Sequence, residues 1–151
     1  MITYHKEKLV SLLGEIEPLL EEHYKEIAMY QDKIDLAPDW ERYLQLDKTE
    51  VLKVATVRDE GELVGYYICF VLPNPHYSKD LYSVNDIVII KPQYRNGGVG
   101  LGLFQFVESW MRDEGVSVMT VHMKTAMPFD KLCEGLEWDY AERLYTKCIK
   151  E

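Results

Sequence analysis

The sequence predicts a single α+β domain with a mixed, mostly antiparallel sheet, and three observations carry that expectation. Apolar residues recur at three- and four-residue intervals as far as Leu46, then give way to strand-like runs from Val51. Two of those runs are joined by Asp59-Glu60-Gly61, a hairpin turn. Further on, the β-branched run Ile87 to Ile90 leads through a glycine-rich turn into another helical stretch.

Taken in order, Thr3 to Lys8 is expected as a short first strand. Leu9 to Tyr30 reads as helix, because Leu12, Leu13, Ile16, Leu19, Leu20, His23, Tyr24 and Ile27 share one face. Pro18 should kink or restart it, since proline lacks an N–H and crowds the preceding turn. His23 and Tyr24 prolong the apolar face. The histidine is either a half-buried, hydrogen-bonded residue or a polar group entering an acceptor pocket. Asp35 to Leu46 predicts a second helix, with Pro38 in its first turn and Asp39 and Glu41 near its positive end. Trp40, Tyr43 and Leu44 are its packing face.

Leu52 to Arg58 and Leu63 to Val71 form the hairpin, with Gly61 at positive φ. Leu72 to Asp80 holds two prolines and is extended and stiff. His76 and Tyr77 at its tip either line a substrate mouth or are exposed loop residues. Leu81 to Ile90 is the central strand, with Asn85 and Asp86 just before its apolar run and Pro92 just beyond its end. Leu101, Phe104, Val107 and Met111 fall at helical spacing. Val116 to Lys124 predicts a strand, Asp130 to Glu134 a short helix, and Tyr140 to Ile149 a last strand. No repeat or linker divides residues 1–151.

Composition narrows the function classes. A content of 47% hydrophobic and 28% charged residues is that of a globular protein. The net charge of −9 would repel nucleic acid but suits a cationic acceptor. No apolar run approaches the roughly 20 residues of a membrane span, and Met1-Ile-Thr-Tyr-His-Lys lacks a secretory core. Cys69, Cys133 and Cys148 are odd in number and lack metal-ligand spacing, so no metal site is expected and a reducing cytoplasm is.

Gly97, Gly98 and Gly100 form a turn between strand and helix, an arrangement that aims unpaired N–H groups at an anion. No Gly-Lys-Ser/Thr closes it as in a Walker loop, and it does not match Gly-x-Gly-x-x-Gly. Ile90-Lys91-Pro92, Tyr94-Arg95 and Arg95-Asn96-Gly97-Gly98-Val99-Gly100 resemble the acyl-CoA signature of the GNAT superfamily of N-acetyltransferases. There, an Arg/Gln-x-x-Gly-x-Gly/Ala run follows a strand ending in V-x-P. The order of elements is also that of the GNAT fold, in which splayed parallel central strands are flanked by helices. The Glu-Glu-His-Tyr and Pro-Asp-Trp-Glu-Arg-Tyr stretches look most like GNAT proteins of bacteriophage and prophage origin.

The resemblance implies acetyl-CoA as cofactor and an amine of a small molecule or protein as acceptor, attacking directly in a ternary complex. Carried over, the main chain of Val88, Ile89 and Ile90 pairs with the pantetheine arm, and Val116 to Lys124 is the strand across the gap. The N–H groups of Arg95, Asn96, Gly97, Gly98, Val99 and Gly100 hold the pyrophosphate. Asp86 is the first choice of base, on one strand face with Val88 and Ile90, and His122 and His23 are the runners-up. His23, Tyr24, His76, Tyr77 and Asn85 are the candidate acceptor contacts. GNAT proteins often form homodimers, but nothing in the sequence marks an interface. One departure stands out: Leu132 to Trp138 puts Cys133 where many family members carry a tyrosine acid, and Ala126 where they carry asparagine. A second reading is therefore a weak or inactive GNAT-fold protein, acting as a CoA-binding or protein-binding inhibitor or adaptor.

Overall fold

In the computed structural model, which describes residues 1–151, one sheet contains β1 (Ile2–Glu7), β2 (Leu52–Asp59), β3 (Glu62–Pro73), β4 (Leu81–Ile90) and β5 (Val116–Thr120). The strands lie side by side in chain order. The first three junctions are antiparallel, while β4 and β5 run parallel. Helices α1 (Leu13–Ile27) and α2 (Trp40–Lys48) cover one face, and α3 (Val99–Asp113) and α4 (Asp130–Gly135) the other. Strand alternation divides the apolar residues between the two layers. Leu12, Ile16 and Leu19 pack with Val54, Tyr66 and Ile68, whereas Leu103, Phe104 and Val107 pack with Ala55, Tyr67 and Cys69. This is the GNAT fold expected from the sequence.

Three expectations about the helices need correction. Residues 9–30 are not one helix: a 3-10 turn over Leu9–Ser11 precedes α1, which then runs unbroken through Pro18. Pro18 would crowd the carbonyl of Gly14, which stands in open space near the start of the helix. The second helix begins at Trp40, so Pro38 precedes it rather than sitting in its first turn. Asp39 is its N-cap, with a carboxylate that accepts the Arg42 N–H at 3.0 Å.

The hairpin turn has two residues, Glu60 and Gly61, with φ of 46° and 88°. Positive φ at both central positions is the geometry that matches strand twist, and Gly61 adopts it without strain. Gly65 answers a different need. A Cβ there would lie 2.7 Å from the Ile89 main-chain oxygen, so β3 and β4 approach closely only because the side chain is missing. Gly65→Ala is expected to destabilise the fold by about 1–3 kcal/mol, read as a fall in Tm. An unchanged Tm would mean that the strands separate at little cost.

At the C-terminal end the expectations fail. β5 stops at Thr120 instead of reaching Lys124, and Tyr140 to Ile149 forms no strand. A strand needs a neighbour to pair its main-chain groups. After Trp138 the chain crosses to the loop after α1, where Tyr30 Oη and Thr146 Oγ1 are 3.0 Å apart. No helix is long and apolar enough to cross a membrane.

Candidate active site

The site begins where the parallel pair parts. β4 and β5 pair from Leu81 opposite Val116 to Val84 opposite Thr120, and no further. At the next residue the Asn85 side chain takes the place of the ladder. Its Oδ1 accepts the His122 N–H at 2.7 Å, and its Nδ2 donates to the His122 carbonyl at 3.4 Å. Asn85 also marks a break in the pairing of β4 with β3. Ile87 lies opposite Ile68 and Asn85 opposite Cys69, so Asp86 is an extra residue, a bulge that bends the strand. Beyond the fork a cavity of about 480 Å³ opens between β4 and the segment His122 to Phe129. There the β5-facing main-chain groups of β4 have no strand partner, although Arg95 Nε donates to the Ile90 carbonyl at 2.8 Å.

The glycine turn closes one end of this cavity. Pro92–Tyr94 forms a 3-10 turn that uses the Arg95 N–H, which donates to the Pro92 carbonyl at 3.2 Å. Gly97 and Gly98 then take φ of 75° and 82°, and α3 starts at Val99 with no side-chain cap. The first helical bond of α3 runs from Gly102 N–H to the Gly98 carbonyl, and every N–H from Asn96 to Leu101 lacks an acceptor. Consecutive unpaired N–H groups at the positive end of a helix form an anion cradle. An added Cβ at Gly97 or Gly98 meets nothing within 4 Å, so the space above the turn is open. Arg95, expected as part of the cradle through its N–H, contributes otherwise: its guanidinium pairs with Glu26 of α1 at 2.7 Å and ties the turn to that helix.

Asp86 lines the cavity but faces otherwise than expected. The bulge shifts its phase, so it does not share a face with Val88 and Ile90, which pack toward α3. Its carboxylate instead accepts the Tyr43 hydroxyl of α2 at 2.7 Å. Burial among protein atoms raises the Asp86 pKa above the ordinary carboxylate value, partly offset by the Tyr43 bond. The residue keeps accessible surface, because it opens onto the cavity that it lines.

His23 of α1 also lines the cavity, buried, with Nδ1 unpartnered; burial, with smaller contributions from Arg95 and Lys124, holds its pKa below the usual histidine value against the pull of Glu26. His122 also lines the cavity, with an exposed side chain. Of the expected cofactor contacts, Val88, Ile90, Arg95, Gly98 and Gly100 line it. Ile89 is turned into the α1 layer, Val99 is buried in the α3 layer, and Asn96 and Gly97 are exposed in the turn. Tyr24 is not in the wall, because its hydroxyl donates to the Ile34 carbonyl. His76 and Tyr77 also stand apart, in the loop before β4 and stacked toward Tyr82 at the paired end of the strand.

Residues 14–131 match the acetyltransferase (GNAT) family. The chain belongs to that family. Solved structures of similar fold include a ribosomal-protein-alanine N-acetyltransferase from Brucella melitensis biovar Abortus 2308. It is 19% identical, with 99% of each chain covered and a TM-score of 0.69. An aminoglycoside acetyltransferase from an uncultured soil metagenomic sample, in complex with sisomicin, is 14% identical over 99% of this chain and 95% of that one, at TM-score 0.72. A predicted acetyltransferase with acetyl-CoA from Clostridium acetobutylicum is 8% identical over 99% of this chain and 97% of that one, at TM-score 0.71. A comparison with curated protein sequences returns no match. The bacteriophage likeness expected from the N-terminal half finds no support among these relatives.

Within this GNAT site the proton donor remains the departure noted in the sequence. Cys133 is buried in α4 and does not line the cavity, and burial raises its thiol pKa, as suits an apolar filler. No serine, threonine, tyrosine or cysteine side chain reaches the wall; Lys124 and the two histidines are its proton-bearing groups beside Arg95. Lys124 ends the segment expected across the gap, whereas Met127 and Phe129 lie beyond every segment that the sequence assigns to the site. The cluster Met127-Pro128-Phe129 before α4 is an apolar signal that could have pointed to them. Tyr43 left no such signal, being 43 residues from the carboxylate it binds.

Proposed function

We propose that this GNAT protein transfers an acetyl group from acetyl-CoA to an amine acceptor by direct attack in a ternary complex. The observation that carries the reading is the run of unpaired N–H groups from Asn96 to Leu101, of which Gly98, Gly100 and Leu101 line the same cavity as the unpaired edge of β4. These features fit the cofactor chemically: N–H donors for a diphosphate, and a strand edge for an amide-bearing arm. When bound, acetyl-CoA supplies an acyl group activated as a thioester. Residues Asn96 to Leu101 would hold the phosphates, and the main chain of Val88 and Ile89 would orient the arm. Asp86 takes the proton of the acceptor ammonium, and burial, by raising its pKa above the ordinary carboxylate value, makes it a stronger base. Tyr43 fixes the Asp86 carboxylate. His23 and Lys124 face the cavity from its other walls, and His122 is the runner-up as base. The acceptor, a small-molecule or protein amine, enters as a cation, which the charge of −9 favours.

The lack of a hydroxyl or phenol in the wall favours a second reading, a protein that binds CoA with little turnover. Calorimetric titration with acetyl-CoA, followed by a thiol-release assay across an amine panel, separates the two. Binding with turnover on one amine class supports the transferase. Binding without turnover on any amine supports the second reading, and no CoA binding overturns both.

A further inference from the structure

With Cys133 buried away from the cavity, the proton for the leaving sulfur has to come from one of the basic groups in the wall. These differ in how far they are already committed. Arg95 is fully engaged: its Nε donates to the Ile90 carbonyl at 2.8 Å, one terminal nitrogen pairs with Glu26 at 2.7 Å, and the other reaches Met127 Sδ at 3.5 Å. His23 is buried with Nδ1 unpartnered, and burial favours its neutral form. His122, as the second candidate for the base, would have to be unprotonated when the amine attacks. Lys124 is different. It lines the cavity, its side chain is exposed, and no carboxylate or carbonyl pairs with its ammonium.

The chain fixes where that ammonium can act. Two residues earlier, the N–H and the carbonyl of His122 are both bonded to the side chain of Asn85, the neighbour of Asp86. Two residues span at most about 7 Å, so Lys124 is held close to the fork, across the cavity from β4. The Met127 N–H donates to the Lys124 carbonyl at 3.0 Å, and this turn steadies the backbone beneath the side chain.

We propose that Lys124 is the acid of the transfer, its ammonium facing the leaving sulfur and protonating it, the task for which many family members carry a tyrosine. The assignment rests on the acetyltransferase reading. Negative charge released on sulfur in a cavity sheltered from water is costly unless an opposite charge or a proton meets it. When the carbon–sulfur bond breaks, its electron pair stays on sulfur and Lys124 Nζ gives that sulfur a proton. The exposed side chain then takes a proton back from water, while the acceptor nitrogen releases its second proton to solvent.

Ultraviolet titration of CoA bound to the full chain tests this, because a thiolate absorbs where a thiol does not. The bound thiol is expected to ionise about 1–3 pH units higher in Lys124→Met than in the wild type. Lys124→Arg, which keeps the charge, should restore the wild-type position. Turnover should fall about 10²-fold or more in Lys124→Met, with the affinity for acetyl-CoA, which has no free thiol, close to that of the wild type. Equal ionisation in the wild type and Lys124→Met overturns the assignment. So does a matching loss of affinity for acetyl-CoA, which would put the ammonium on a phosphate. Absence of any CoA binding by the wild type removes the acetyltransferase reading itself, and the assignment with it.

Discussion

Gly98→Glu is expected to abolish CoA binding while leaving a folded protein. Gly98 caps α3 at φ 82°, and an added side chain meets no protein atom there, so the substitution costs only local strain of about 1–2 kcal/mol. The effect on the ligand is far larger. A carboxylate placed among the N–H groups from Asn96 to Leu101 competes for the donors that a diphosphate needs. Two charge-assisted bonds lost at about 1.5–3 kcal/mol each correspond to ~10²–10⁴-fold in affinity. Gly98→Ala separates the contributions, because it imposes the strain without the charge and should weaken binding much less. Titration of both variants with CoA checks this, and wild-type affinity in Gly98→Glu would remove the turn from the cofactor site.

Asp86→Asn should lower turnover by about 10²–10⁴ with CoA affinity nearly unchanged. Asparagine keeps the shape and can still accept the Tyr43 hydroxyl, so only the proton-accepting function is lost. The pH dependence follows from the direction of the shift. Burial raises the folded pKa of Asp86 above its unfolded value, so the folded state binds the proton more tightly. Ionising the group therefore costs stability as pH rises through the window between the two values. Above that window Asp86→Asn should be at least as stable as the native protein while much less active. Water reaching the cavity keeps this gain small. The acid limb of kcat/KM should lie above the usual carboxylate range and vanish in the variant. Tyr43→Phe, which removes the bond that lowers the Asp86 pKa, should move that limb to higher pH. An acid limb that survives in Asp86→Asn would belong to the acceptor or to a histidine, and equal losses in turnover and CoA affinity would reject the assignment of the base.

The parts of the site legible in the sequence were those written in consecutive residues. Ile87 to Ile90, Pro92 and the glycines at 97, 98 and 100 follow each other, and each acts through the local backbone rule that made it readable. Asp86 could be named but not oriented. Strict alternation puts it with Val88, and only the register against β3 reveals the extra residue. Asn85, a candidate acceptor contact, does line the cavity; its second use, as a spacer across the fork, depends on His122, 37 residues away. Arg95 belongs to the motif, yet the preceding 3-10 turn consumes its N–H, and Leu101, at the far end of the unpaired run, lies beyond the motif. The last strand was read from an alternating pattern. The pattern describes what Tyr140 to Ile149 would do beside a partner, and a pattern alone does not supply one.

The surplus residue in β4 has one more consequence. Asn85 and Ile87 sit opposite neighbouring residues of β3, so excising Asp86 would leave both flanks of the ladder in step. A chain shortened by that single position could still pair β4 with β3 along its length, but it would lose the bend in β4 and the carboxylate that lines the cavity. Architecture and chemistry are thus separable in this molecule, and what separates them is one amino acid of extra length.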